Sequence, residues 1–203
     1  MSKSNYHHGD LRRALIEAAV ELAVEHGPDG VSMREAARRA GVSTAAPYRH
    51  FKDRDELMSA VAAEGHMRLL AQMREAAEAS GEGPRGQYRA YGVRYVTFAV
   101  KHPNLFRVMH VARWCERDAS PEMAQARDAN EGEVGALIRR ASEEGELEPD
   151  ALATQQLAAH ALMYGLARLY IDGHGEDLGL DQLDVQTVVE AVADVLGRGL
   201  VPR

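Results

Sequence analysis

Tyr48, Arg49, His50 and Lys52 crowd together at the end of the stretch SMREAARRAGVSTAAPYRHF, Ser32 to Phe51. Phenol, guanidinium, imidazole and ammonium groups can all donate hydrogen bonds to anionic oxygens, which makes phosphate a natural partner. Just upstream, Ser43, Thr44, Ala45 and Ala46 carry little bulk. A slim leading end of that kind can enter a DNA major groove, about 12 Å wide. Arg54 follows at the start of another helical pattern, where backbone N–H groups also favour phosphate. The alternative is a structural helix pair with a solvated basic face, and it leaves the small leading end and the basic far end unaccounted for.

The elements that must position these groups are short helices. Ser32 followed by Glu35 forms a capping box that opens one helix. Gly41 closes it, because glycine tolerates the left-handed conformation that helix ends adopt. Ser43 opens the next, predicted over about 44–50, and Ala36, Ala37 and Ala40 let the two approach closely. A short helix, a glycine turn and a second short helix make a helix-turn-helix. Pro47 removes an N–H near the start of the second helix, so local distortion is expected there.

The rest of the chain reads as helix. Leu11, Leu15, Ala18, Ala19 and Leu22 form one stripe, ended by His26-Gly27-Pro28. A long helix begins near Asp53 and runs through Leu57, Val61, Met67 and Leu70 to the high 70s. SGEGPRG, Ser80 to Gly86, is the clearest interior break. Further helices are predicted near 87–101, 104–116, 122–145, 150–172 and 181–198, with Pro103, Pro121 and Pro149 at starts. GHGEDLG, Gly173 to Gly179, is a loop. The fold class is all-α with about nine helices.

Composition narrows the function. The chain has 203 residues, long enough for a real core in one or two small domains. It carries 24 Lys/Arg against 31 Asp/Glu, a net charge of −7. Residues 1–57 hold nine of each, which leaves 15 basic and 22 acidic residues in 58–203. The whole excess is therefore acidic and belongs to the second part, so the two parts are electrostatically different objects. A neutral N-terminal unit can still present one basic face. No run of about 18 apolar residues is present, which excludes a membrane span. The N-terminal MSKSNYHHGDLRR lacks the apolar core of a secretory signal. Cys115 is the one cysteine, which excludes an internal disulfide and suits a reducing cytoplasm. The final GLVPR is either native or a tag scar.

Residues about 6–57 resemble the DNA-binding domain of the TetR family of bacterial transcriptional regulators. The resemblance rests on the Leu11–Gly27 helix, VSMREAARRAGVS, YRHF and DRDEL. NYHHGDLRRAL and APYRHF further resemble a subfamily whose C-terminal domain bears a Trp-x-x-x-His-Gly signature; the corresponding stretch here, HALMYG, has His160 for the Trp and Tyr164 for the His. The resemblance implies an N-terminal three-helix DNA-binding domain, 1–57, and a C-terminal effector-binding and dimerisation domain, 58–203, with a linking helix at about 54–79. It implies a cytoplasmic bacterial repressor that binds an inverted-repeat operator in double-stranded DNA as a homodimer, its recognition helices about 34–36 Å apart. Carried over, Thr44, Ala45 and Tyr48 face the bases or groove, and Ser32, Arg34, Ser43, Tyr48, His50, Lys52 and Arg54 face DNA or phosphate. Lys3, Tyr6, His7 and His8 would form an arm near the backbone or minor groove.

The second part carries most of the aromatics, with Met109, Met123 and Met163 as deformable packing. The resemblance implies an effector pocket there, mostly apolar with a few polar groups. Tyr95, Phe98, His110, Trp114 and Tyr164 are the candidates, the alternative being that they are ordinary core. The acidic balance points away from an acidic effector, which leaves a small, partly apolar molecule. The last two helices carry apolar stripes, Leu152, Leu157, Ala161, Leu162, Leu166 and Leu169 on one and Val185, Val188, Val189, Val192, Val195 and Leu196 on the other. The small Ala158, Ala161 and Gly165 permit close approach, and the resemblance implies a four-helix dimer interface, the alternative being that both stripes are consumed within one subunit. Facing Glu-x-x-His pairs, a phosphate-binding glycine loop, paired metal-binding cysteines and a nucleophile elbow are all missing from the sequence, which argues against an enzyme, a cofactor or a metal centre. A buried role for Cys115 is favoured over redox sensing, since it has no partner cysteine.

Overall fold

The structure, a computed structural model, describes residues 8–116, 118–146 and 152–199, with side chains over 11–116, 118–146, 153–180 and 182–195. The arm residues Lys3, Tyr6 and His7, Pro149, where the sequence predicts a helix start, and the last four residues of the terminal GLVPR lie outside them, as do the side chains of His8, Leu152 and Leu196. Among the described residues there are eight α-helices and no strand. They are α1 (His8–His26), α2 (Met33–Arg39), α3 (Arg54–Ser80), α4 (Pro84–Lys101), α5 (Pro103–Val108), α6 (Pro121–Glu143), α7 (Leu152–Ile171) and α8 (Val185–Gly199). The chain divides into two compact units: Met1–Met67 with Asn104–Asp128, and Arg68–Pro103 with Ala129–Arg203.

The first unit is built on the α1 stripe. Leu15, Ala19 and Leu22 are at most 1% exposed, and they share the interior with Phe51, Leu57 and Phe106. Burying each such leucine contributes about 1.5–3 kcal/mol relative to exposure. Asp53 caps α3 by accepting from Glu56 N–H at 2.9 Å, which fixes where the long helix starts. Ser120 caps α6 in the same way, accepting from Met123 N–H at 3.1 Å, and its hydroxyl is met by that of buried Ser59. Gly65 of α3 lies against α5: a Cβ there would sit 2.7 Å from Met109 Cγ and 3.3 Å from Leu105 Cδ1.

The helix predicted over 104–116 is cut short at Val108, and a 3-10 turn follows at Ala112–Trp114. The reason is competition for carbonyls. His110 Nδ1 bonds the Phe106 carbonyl at 2.8 Å, the acceptor the His110 N–H would use in a continuing helix. The Met109 carbonyl is likewise taken by His66 Nε2 at 3.1 Å and by the Cys115 thiol at 2.9 Å. The backbone tightens instead, with His110 N–H donating to Arg107 at 3.3 Å.

In the second unit α4 runs antiparallel to α7. Gly92 lies opposite Met163, and Tyr95 opposite His160 with ring centroids 6.0 Å apart. Val96, Phe98, Ala99, Ala167 and Val189 of α4, α7 and α8 form the interior. Ile138 and Ala141 of α6 make a second cluster with Tyr88 and Val134. Glu133 accepts from Arg74 at 2.8 Å and from the Tyr91 hydroxyl at 3.1 Å, joining α3, α4 and α6. Burial first, then that carboxylate, push the Tyr91 phenol up to about 12.

Candidate nucleic-acid interface

The stretch Ser32–Phe51 folds around two backbone solutions. Ser32 caps α2 by accepting from Glu35 N–H at 3.1 Å. Only this half of the capping box forms by side chains, because the Glu35 carboxylate pairs with Arg38. At the other end Gly41 adopts φ 70°, with Val42 N–H on the Ala37 carbonyl at 2.9 Å and Gly41 N–H on Arg38 at 3.2 Å. That pair of bonds is a Schellman motif, and the left-handed residue at its centre favours glycine.

The helix predicted over 44–50 is a 3-10 turn, Pro47–Arg49, preceded by turns. Pro47 has no N–H to offer the Ser43 carbonyl, so that oxygen accepts from Ala46 N–H at 2.9 Å instead. Arg49 donates to Ala46 at 3.1 Å and His50 to Pro47 at 2.9 Å, continuing the tighter winding. Buried Pro47 and Phe51 anchor the segment inward. Ser43, Thr44, Ala45, Tyr48, Arg49 and Lys52 are exposed, Tyr48 at 59%, with His50 half-buried. Ser32 and Arg34 are exposed as well.

The cations here are not equivalent. Arg38 pairs with Glu35, and Arg39 with Glu25 at 2.6 Å. Arg34 and Arg49 have no ion-pair partner among the described residues, so both remain available to an outside anion. Lys52 is exposed, with its ammonium 3.8 Å from Asp53. The Ser32 hydroxyl accepts the cap bond through a lone pair, so its hydrogen is free to donate. Arg54, expected from the sequence as a phosphate contact, is turned inward in this structure. Its Nε donates to the Val31 carbonyl at 2.8 Å and its Nη2 to Pro28 at 2.6 Å, and the guanidinium lies 5.7 Å from the Trp114 ring centroid. The Pro28 carbonyl also accepts from Val31 N–H at 3.3 Å, so Arg54 takes its second lone pair, and together the two carbonyls draw the side chain inward.

Sequence reasoning passed over Arg12. Its guanidinium lies over the Phe51 ring at 4.2 Å, and its Nη1 donates to the His50 carbonyl. Nε and Nη2 grip Glu122 of α6 at 2.6 and 2.9 Å, and Nη2 also reaches Glu56 at 3.3 Å. The Glu122 hydrogen bond holds the Arg12 charge more firmly than usual. Burial is the largest single influence on the Glu122 carboxyl and pulls it up, but the Arg12 hydrogen bond and charge, the backbone N–H and the Ser120 hydroxyl together bring the net direction down. Only a basic residue next to the first position of an apolar stripe marks Arg12 in the sequence.

The five effector candidates do not fall in one unit. His110 and Trp114 belong to the first, where Trp114 is 3% exposed and its indole N–H donates to Asp55. Tyr95, Phe98 and Tyr164 belong to the second. There the rings of Tyr95, His160 and Tyr164 follow one another at 6.0 and 6.3 Å between centroids. Burial, then the neighbouring Tyr164, raise the Tyr95 phenol far above its ordinary range, so it stays neutral. Gln155, which the sequence did not single out, is buried on α7 and its Oε1 has no hydrogen-bond partner among the described residues. Among the described residues no His, Cys, Asp and Glu cluster could hold a metal ion, and no helix is long and apolar enough to cross a membrane.

Residues 15–61 match the family model described as bacterial regulatory proteins, tetR family. Residues 88–196 match that of the tetracyclin repressor-like C-terminal domain. A solved structure from a Rhodococcus species, a protein with unknown function, is 33% identical over 98% of this chain and 100% of that one, with TM-score 0.79. A TetR family transcriptional regulator from Thermus thermophilus is 22% identical over 93% of this chain and 99% of that one, at 0.63. A ketosteroid transcriptional regulator of Mycobacterium tuberculosis is 18% identical over 100% of this chain and 98% of that one, at 0.60. The last two share the fold.

Proposed function

This chain belongs to the TetR family, whose members are non-enzymatic DNA-binding transcription regulators, and on that premise we propose that it is a homodimeric repressor of an inverted-repeat operator, released by a small, partly apolar effector. The observation that carries this is the exposed set Ser32, Arg34, Ser43, Thr44, Ala45, Tyr48, Arg49 and Lys52, held over buried Pro47 and Phe51, with Arg34 and Arg49 in no ion pair among the described residues. Thr44, Ala45 and Tyr48 take the groove. Ser32, Arg34, Arg49, His50 and Lys52 take phosphate, which fixes register without reading sequence. Residues 1–57 do the binding, and 58–203 sense the effector and dimerise.

A face of α7 supports the dimer. Leu157 and Leu162 are 67% and 37% exposed, with exposed Ala158 and Ala161 between them and exposed Thr154 one turn before, and Val195 of α8 is 62% exposed. The effector site is proposed among Tyr95, Phe98 and Tyr164. The unsatisfied Gln155 oxygen supports a ligand that brings a hydrogen-bond donor, because a buried acceptor left alone costs about 1–3 kcal/mol. A ligand that reverses operator occupancy from 1:99 to 99:1 must discriminate the two states by about 5.5 kcal/mol.

The test is selection of bound duplexes from a random DNA pool by the purified protein at near-physiological salt. An enriched inverted repeat supports operator, dimer and DNA role together. Binding that is equally strong to every duplex, or absent, sinks the operator.

A further inference from the structure

Two helices have residues in both units, α3 after Met67 and α6 after Asp128. Both present a first-turn carboxylate to one side chain: Glu56 of α3 and Glu122 of α6 meet on Arg12 of α1. The same guanidinium donates to the His50 carbonyl and covers Phe51, the two residues that end the recognition segment. We propose that Arg12, oriented by Glu122, is the positioning residue that sets the recognition segment Ser43–His50 for DNA, and that the first turn of α6 is thereby coupled to sequence readout.

The inference rests on the DNA-binding reading above, but its physical content is local. The segment is wound as a 3-10 turn and lacks the full ladder of an α-helix, so its own backbone fixes it weakly. Its end is held by Phe51 N–H on the Pro47 carbonyl at 2.9 Å, by Lys52 N–H on Glu56 at 2.8 Å, and by the fork of Arg12, which alone links it to Glu122. A guanidinium is planar, and a carboxylate that grips Nε and Nη2 together dictates where Nη1 points. Here it points at His50. If the Glu122 grip is weakened, the plane is free to turn, and the His50 carbonyl loses an aimed donor while Phe51 loses its cover. Lysine at position 12 cannot substitute, since one ammonium cannot span Glu122, Glu56 and His50 in a fixed plane.

Base contacts depend on the placement of Thr44, Ala45 and Tyr48 to a fraction of an ångström, whereas phosphate attraction does not. The two kinds of affinity should therefore separate. Glu122→Gln keeps size and removes the charge. Its expected effect is about a tenfold loss of affinity for the selected operator, the size of one charged hydrogen bond. Affinity for random duplex at the same salt stays within about twofold, because it depends on phosphate neutralisation. In the absence of DNA, the amide resonances of Thr44 to His50 shift. Arg12→Lys gives the same pattern.

The measurements are fluorescence anisotropy with operator and random duplexes, and amide correlation spectra of the full chain. If both variants lower the melting temperature but leave the operator-to-random ratio and the Thr44–His50 amides unmoved, Arg12 is only a structural residue and the proposal falls. If the amides move while the parent protein prefers no duplex, the coupling stands and the operator reading fails. If one variant does not fold, the other carries the test.

Discussion

The indole N–H of Trp114 donates to Asp55 Oδ1 at 2.8 Å, tying the turn after α5 to the first turn of α3. The ring lies beside two guanidinium groups, Arg113 at 4.9 Å and Arg54 at 5.7 Å from its centroid. Trp114 thus anchors the unit that carries the recognition segment. Trp114→Phe should destabilise the protein by about 1–3 kcal/mol through lost packing and one lost bond. Urea denaturation measures it. As the chain's single tryptophan, Trp114 should also emit in the blue when folded and shift red on unfolding. A red-shifted native emission would contradict its burial.

Pro47→Ala restores an N–H beneath the Ser43 carbonyl. The backbone over 44–50 should then relax from 3-10 toward α-helix, seen as more helical carbon chemical shifts at Ala46 to Arg49. Loss of the buried ring and of the rigidity proline imposes on the unfolded chain should cost about 0.5–1 kcal/mol. Operator selection by this variant should return a changed preference, since Tyr48 turns with the winding. Unchanged shifts would mean that something other than the missing N–H sets the 3-10 form.

Pro47 also marks where the sequence could and could not be read. The capping serine, the Gly41 turn and the exposed Thr44, Ala45 and Tyr48 were legible, because caps, positive φ and small residues act locally. Distortion at Pro47 was legible, but not that it would reduce the whole helix to a 3-10 turn. The end of α5 was hidden too, because it depends on His66 and Cys115 reaching the Met109 carbonyl from elsewhere in the chain. Arg12 and the inward turn of Arg54 were hidden for the same reason: a charged side chain looks alike in sequence whether it meets solvent, a carboxylate or a carbonyl. Of the pocket candidates, spacing could not divide His110 and Trp114 from Tyr95, Phe98 and Tyr164.

Two glycines in helices predict opposite outcomes. At Gly65 an alanine Cβ would sit 2.7 and 2.8 Å from Met109 Cγ and Sδ, and Met109 is 1% exposed. Overpacking there costs about 1–3 kcal/mol and outweighs the gain of about 1 kcal/mol in helix propensity. At Gly132 in α6 nothing lies within 4 Å. Gly132→Ala should therefore stabilise by up to about 1 kcal/mol. Paired melting curves decide this, and equal shifts in the two variants would contradict the close approach of α5 to α3.

Cys115 should be a poor redox sensor. Burial pushes its thiol up to about 11, against a smaller opposing pull from Arg127, and its S–H donates to the Met109 carbonyl at 2.9 Å. The thiolate is the reactive form, and little of it exists at neutral pH. A disulfide-based thiol reagent at pH 8 should react slowly with the native protein and rapidly after urea is added. Fast native labelling would reopen an oxidative switch at this position.

The exposed face of α7 makes the dimer testable. Leu157 and Leu162 stand exposed with Ala158 and Ala161 between them, small enough for a second helix to approach closely. A two-fold interface uses each leucine twice. At about 1.5–3 kcal/mol per buried leucine, replacing both by glutamate should weaken association at least about a thousandfold, with charge repulsion across the axis adding to it. Light scattering at micromolar concentration should give a dimer mass for the parent and a monomer mass for Leu157→Glu/Leu162→Glu, with unchanged helical circular dichroism. The monomer should retain half-site contacts but lose most operator affinity, since two linked half-sites bind far more tightly than one. A parent that runs as a monomer removes the dimer. A variant that stays dimeric moves the interface off this face of α7.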